Sequence, residues 1–222
     1  MKKFFYDENG NRISYNCNQR INRGTGINGR IYRTSDEFID DDLCIKLLNI
    51  GAVIRLEELK VIMGMDLENF YKIYRILYNR WHQPKAYITK YYQPEDIDIL
   101  TVPTEYTLDS FNILYNQSIK LSQAGIVIDD LHTGNIVFTQ NGIIVLDVDN
   151  YYFGTIITRQ RIVTKNQGAI NYLFKSLYID ALERHHYSPD NYDVKQLFPP
   201  YQRPETLQKT LKRYKYPIEY FK

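Results

Sequence analysis

Two short β-branched runs, Ile136-Val137-Phe138 and Ile143-Ile144-Val145-Leu146, flank Gln140-Asn141-Gly142. Runs of this length and composition read as strands, and the amide-glycine segment between them reads as a hairpin turn. Earlier in the chain, Arg30-Ile31-Tyr32-Arg33-Thr34 alternates as a strand does, and Leu43-Cys44-Ile45-Lys46-Leu47-Leu48 is an apolar strand interrupted by one lysine. Between 54 and 62 the spacing is helical and the residues are good helix formers. A longer amphipathic stretch runs from Thr107 to Ala124, with Leu108, Phe111, Leu114, Tyr115, Ile119 and Leu121 as its apolar positions.

The hairpin matters because of what flanks it. Asp130 and Asn135 stand just before its first strand, in Asp129-Asp130-Leu131-His132-Thr133-Gly134-Asn135, and Asp147 stands at the end of its second. That order brings three oxygen-bearing side chains to one edge of a small sheet. Carboxylate and amide oxygens suit a hard cation such as magnesium together with bound phosphate, and a carboxylate a few residues upstream can take a proton from a hydroxyl. The plainer alternative is a polar turn in which Asp and Asn serve turn chemistry alone. Near the N-terminus, Gly24-Thr25-Gly26-Ile27-Asn28-Gly29 precedes the alternating 30–34 segment and follows polar residues 16–20. A dinucleotide-binding turn needs an apolar strand before its glycines and a helix after them. A strand-loop-strand flap, whose backbone N–H groups approach phosphate oxygens, fits better, and an ordinary glycine hairpin is the competing reading.

Asp-x-x-x-x-Asn followed by apolar-apolar-Asp resembles the catalytic loop and metal-binding segment of the protein-kinase-like superfamily. The wording Asp-Leu-His-x-Gly-Asn is similar to its aminoglycoside and choline kinase branch and to atypical bacterial kinases. The resemblance implies an α+β, two-lobed protein-kinase-like fold, with a small antiparallel β-sheet N-lobe and a reduced, mostly helical C-lobe. The 222 residues would form one domain, its N-lobe about 1–93 and its C-lobe about 94–222. It also implies ATP and Mg2+ as cofactors and a set of roles. Asp130 would be the catalytic base, and Asn135 and Asp147 the metal ligands, with Asp149 an alternative ligand. Gly24, Gly26 and Gly29 would cover the phosphates. Lys46 would reach the α- and β-phosphates and be held by Glu58 on the following helix, with Glu57 as the adjacent alternative. Residues 69–73 resemble the fourth strand, and 85–94 the fifth strand and the hinge, whose backbone binds adenine.

Three departures shape the implied activity. Val148-Asp149-Asn150 replaces Phe-Gly after the metal-binding Asp, Ile128 occupies the place of the His of His-Arg-Asp, and 150–167 holds no Ala-Pro-Glu segment. The implied function is phosphotransfer to a hydroxyl. The acceptor is Ser/Thr on a protein or a small-molecule hydroxyl, with the protein preferred because the chain lacks the large helical insert of small-molecule kinases. The alternatives are a pseudokinase that binds or scaffolds, and a nucleotidyl-transferring enzyme.

Composition narrows the setting. With 44% hydrophobic residues, 222 residues bury a good core. A net charge of +2, from 28 basic and 26 acidic residues, gives no push toward nucleic acid or a membrane surface. Cys17 and Cys44 make no disulfide framework, which points to a reducing, cytoplasmic compartment. Met1-Lys2-Lys3-Phe4-Phe5-Tyr6 is too short for a signal peptide, and no apolar run is long enough to span a bilayer. His185-His186 beside Glu183 meets no metal-ligand spacing and reads as a helix-ending polar pair. Lys209, Lys212, Arg213 and Lys215 read as the solvated face of a C-terminal helix.

Overall fold

The computed structural model describes residues 2–21, 30–34, 42–48, 55–186 and 205. It divides into two compact units. The first is Met1–Leu67 with Tyr71–Gln93, and the second is Glu68–Phe70 with Pro94–Lys222.

The first unit contains β1 (Lys2–Tyr6), β2 (Arg12–Arg20), β3 (Arg30–Thr34), β4 (Leu43–Leu47), α1 (Leu56–Met63), β5 (Ile73–Tyr78) and β6 (Pro84–Lys90). Its strands are all antiparallel, in the order β1-β2-β3-β4-β6-β5, and Tyr6 against Tyr78 closes them into a barrel. Period-two alternation sends Ile13, Tyr15, Tyr32, Ile45, Leu77, Ala86 and Ile88 inward as one core. Aromatic rings thicken that core: Phe5 stacks on Tyr15 at 5.5 Å, and Tyr15 tilts against Tyr32 at 5.1 Å.

A closed barrel corrects the expectation of a two-lobed protein-kinase-like fold with a small antiparallel sheet in one lobe and a mostly helical second lobe. All six strands of the first unit lie in the barrel, and the α-helices among the described residues are α1, α2 (Thr104–Gln123) and α3 (Arg159–Arg184). The physical reason lies at the N-terminus. Lys2-Lys3-Phe4-Phe5-Tyr6 lacks the alternation of a half-buried strand, yet it pairs with β2 over five residues, from Lys2↔Asn16 to Tyr6↔Arg12. Reaching β5 as well, it covers edges that an open sheet would leave unpaired. The expected fourth strand is also displaced, since β5 begins at Ile73 while Asn69 and Phe70 belong to the second unit.

Asp7 makes the β1–β2 turn. Its carboxylate accepts from the backbone amides of Asn9 (3.0 Å) and Asn11 (2.8 Å) and from Asn11 Nδ2 (3.0 Å). Gly10 completes the turn at φ +80°, where a side chain would strain the backbone. The guanidinium of Arg75, on β5, lies 3.4 Å from the same carboxylate, so one side chain ties the turn to the strand that closes the barrel.

In the second unit, β7 (Ile126–Val127) follows α2, then come β8 (Ile136–Thr139), β9 (Gly142–Val145), β10 (Tyr152–Phe153) and α3. β8 pairs with β9 as the hairpin read from sequence, and β10 pairs with β7. The two long helices pack face to face, with Phe111 edge-on to Phe174 at 5.0 Å and both fully buried. Thr158 caps α3 by accepting from the Arg161 amide. His185 closes the same helix and its ring contacts Asp98, as a helix-ending polar residue does. Among the described residues no helix is long and apolar enough to cross a membrane. The basic C-terminal segment of Lys209, Lys212, Arg213 and Lys215 lies outside the described residues.

Asp7 gives the barrel a pH signature. Burial pushes its carboxyl up, but hydrogen bonds from Asn11 and Asn9 and the Arg75 charge outweigh that and hold it below its ordinary 3.8. A depressed folded value means the carboxylate's stabilisation is complete above 3.8 and is lost as pH falls through the lower folded value. Asp7→Ala is therefore expected to melt below the wild type near neutral pH, with the gap closing under strong acid. Thermal melts across the acid range check this, and a pH-independent gap contradicts it.

Candidate functional site

A single buried side chain fixes the segment that carries the candidate residues. Asn166, on α3 and fully buried, accepts from the Ile128 amide at 2.8 Å. Its Nδ2 donates to the Ile126 carbonyl (2.8 Å) and to Ser122 Oγ (2.9 Å). One carboxamide thus joins α3, the end of α2 and β7, and the loop from Ile128 to Asn135 leaves this point at a set angle. The hairpin is pinned independently. Asn69 donates from Nδ2 to the Ile143 carbonyl (2.8 Å), its carbonyl accepts from the Val145 amide (2.7 Å), and its own amide donates to Gln117 on α2 (3.1 Å).

Within this frame Asp130 and Asn135 are joined, and Asn135 meets the residue before Asp147. Asn135 Nδ2 donates to the Asp130 carbonyl at 2.8 Å, and the Asn135 carbonyl accepts from the Leu146 amide at 2.7 Å. The first bond ties the two loop residues to each other. The second sets the residue before Asp147 against Asn135. Asp149 follows two places later, beyond Val148, which is fully buried and fills the apolar packing position.

Burial separates two roles. Asn135 and Asp147 are nearly enclosed, at 9% and 6% exposure. Asp130 is open to solvent, its side chain 41% exposed. Asp130 and Asp147 also both adopt left-handed backbone, at φ 56° and 57°, a region that costs an L-residue about 1–2 kcal/mol. Asp tolerates it better than most residues, and such conformations gather at functional sites.

The Asp130 carboxylate is held by two neighbours. Asn150 Nδ2 donates to Oδ2 at 3.0 Å, and His132 Nε2 lies 3.6 Å from Oδ1. His132 Nδ1 accepts from the Gly134 amide at 3.1 Å, so in the neutral ring Nε2 carries the proton that faces Asp130. A Cβ at Gly134 would lie 3.0 Å from the His132 ring, so a side chain there would make that half-exposed ring shift.

The oxygens suit magnesium. Asn135 Nδ2 donates to a carbonyl, so its Oδ1 is the atom of that side chain that could ligate a cation. Among the described residues no three His, Cys, Asp or Glu side chains converge as a metal site. Magnesium bound through one or two protein oxygens plus substrate phosphates and water needs no such cluster.

The remaining residues read from sequence lie in the first unit. Lys46 is on β4, 3% exposed, with Nζ 5.7 Å from the centroid of the Tyr87 ring. Glu57 is exposed and paired with Lys60 at 3.1 Å, while Glu58 is on the half-buried side of α1. Gly24, Gly26 and Gly29 lie outside the described residues. The strands on either side of them, β2 and β3, pair antiparallel.

Sequence reading missed Asn150 and Asn166. Asn150 stands one place beyond 148 and 149, where the resemblance implies Phe-Gly, and nothing local signals that it meets Asp130. Asn166 gave no signal either, since a mid-helix Asn becomes informative only once its partners from 122, 126 and 128 are known.

Asn166→Ala leaves the Ile128 amide and the Ile126 carbonyl buried without that partner. A loss of about 2–4 kcal/mol is expected from the unsatisfied groups, while Arg159→Ala, on an exposed position of the same helix, changes stability by less than about 0.5 kcal/mol. Chemical denaturation of both variants measures the contrast. No family model matches the chain, and no curated protein is found similar to it.

Proposed function

We propose that the chain is an ATP- and magnesium-dependent phosphotransferase, moving the γ-phosphate to a hydroxyl, with Ser/Thr on a protein as the preferred acceptor and a small-molecule hydroxyl as the alternative. The observation that carries this reading is the hydrogen-bonded joint of Asp130, Asn135 and Leu146-Asp147. It couples an exposed carboxylate to two enclosed oxygen ligands. A turn built for its own geometry has no use for that division of exposure.

Asn135 Oδ1 and the Asp147 carboxylate would hold the cation. A magnesium ion held there would supply positive charge against the negative charge that develops during transfer. Asp130, steadied by Asn150, accepts the acceptor's hydroxyl proton as the new O–P bond forms and the bond from the γ-phosphorus to the ADP oxygen breaks. The proton then passes to solvent, to which Asp130 is open. In the first unit, the resemblance implies phosphate-binding roles for Lys46, with Glu58 as its partner, and for Gly24, Gly26 and Gly29. Free Cys17 and Cys44 support a reducing, cytoplasmic setting.

Incubation with ATP labelled at the γ-phosphate, with and without magnesium, tests the reading. Transfer to protein substrate or to the chain itself is expected only with metal. Asp130→Asn should lower the rate about 10²–10⁴-fold, in line with loss of a general base, and Asp147→Asn should remove the metal response. Asn150→Ala, which only loosens Asp130, should act more weakly. An AMP-sized mass gain would replace the reading with nucleotidyl transfer. Metal-dependent nucleotide binding with no transfer to protein or small hydroxyls would replace it with a binding module.

A further inference from the structure

A cavity of about 540 Å³ opens beside the loop that carries Asp130, wholly within the second unit. One wall is Thr133 and Gly134, which lie between Asp130 and Asn135, together with Phe138 of β8. The other wall is the end of α3, where Leu177, Asp180, Glu183 and Arg184 recur at helical spacing along one face. Volumes of this size are those of small-ligand pockets, apolar in part, with a few polar groups that decide what enters. Phe138 and Leu177 supply the apolar part, and the two carboxylates supply the charge.

The cavity is tied to the base. The Gly134 amide in its wall donates to His132 Nδ1 at 3.1 Å, and His132 Nε2 lies 3.6 Å from Asp130 Oδ1. Asp130 and Gly134 are four residues apart, so their Cα atoms are separated by no more than about 15 Å. An extended chain crosses that span in about four or five residues.

The two carboxylates are poorly placed for the helix alone. Glu183 stands in the last turn of α3 and Asp180 just before it, at the end where the macrodipole is negative and favours cations. Among the described residues neither carboxylate is in an ion pair. Arg184 also lines the cavity, but its charge acts on Asp98, which the His185 ring contacts as well. A cation entering the cavity would answer the carboxylates and the helix end together.

We propose that this cavity is a subsite for the acceptor, taking a positively charged group that the acceptor carries within about five residues' reach of its hydroxyl. The proposal rests on the phosphotransferase reading above. For a protein acceptor the group is an Arg or Lys side chain, its stem along Phe138 and Leu177 and its head toward Asp180 and Glu183. A small amino alcohol offers the same chemistry on a shorter frame.

The test is phosphate transfer by the full chain, from ATP with magnesium, to two serine peptides and to ethanolamine. One peptide carries arginines on both sides of the serine, and the other carries glutamines in their place. The wild type runs beside a double variant, Asp180→Asn with Glu183→Gln, and both are melted thermally. The wild type is expected to show a KM about three- to tenfold lower for the arginine peptide. The double variant should lose that difference and melt at or above the wild-type midpoint, because it removes negative charge from the negative end of a helix. Carboxylates that serve only the fold would instead lower the midpoint and leave both KM values as they were. Equal KM values in the wild type, or a difference that survives in the double variant, would overturn the inference and leave the phosphotransferase reading intact. Transfer to ethanolamine alone, with a KM that rises in the double variant, would keep the subsite and make the acceptor a small molecule, whereas an unchanged KM would overturn the inference. No transfer to any of the three would overturn both.

Discussion

Three hydrogen bonds on the Asn166 carboxamide set the geometry on which the second unit's site depends. A buried amide is unfavourable unless satisfied, and here both its oxygen and its nitrogen are used, on backbone groups of 126 and 128 and on Ser122. Ser122 passes the linkage on, donating to the Ser118 carbonyl one turn back along α2 at 2.7 Å. The chain between Ile128 and Asn135 therefore leaves from a fixed point. Only with that point fixed do the left-handed Asp130 and the short 3-10 turn at Thr133–Asn135 place the Asn135 amide on the Asp130 carbonyl.

The site is a case of side chains positioned by backbone more than by one another. The loop and the hairpin meet where Leu146 donates to Asn135, and the hairpin is itself held by Asn69 and by Ser110, whose hydroxyl accepts from the Ile143 amide at 3.3 Å. Gly142 belongs to that contact, since at φ +125° and with Ser110 Oγ 3.0 Å from where a Cβ would stand, no other residue fits without strain. Such preorganisation is what electrostatic catalysis asks for, because charge that develops during reaction then meets groups that need not reorganise.

How much of this was legible follows from how local each signal is. The 136–146 hairpin, the helix beginning in the mid-fifties and the amphipathic stretch from 107 were readable because periodicity and turn chemistry act within a few residues. So was the nearness of Asp130 and Asn135 to the end of the hairpin, since the hairpin's own order sets it. The barrel was not legible. Its closure depends on β1 pairing with a strand more than seventy residues away, at Tyr6↔Tyr78, and no local pattern in Lys2–Tyr6 announces that. The β1–β2 turn has a local signal, since Asp7-Glu8-Asn9-Gly10 holds the residues a hairpin turn requires. Asn166 was hidden for the same reason as the barrel, because it acquires meaning only from residues distant in sequence.

The most direct test of the central claim is an anomalous-scattering crystal structure of the chain with Mn2+ and a non-hydrolysable ATP analogue. The account predicts a manganese peak about 2.1–2.2 Å from Asn135 Oδ1 and from an Asp147 carboxylate oxygen, with analogue phosphate completing the shell. A peak that engages neither residue, or nucleotide bound away from Asp130, would contradict it.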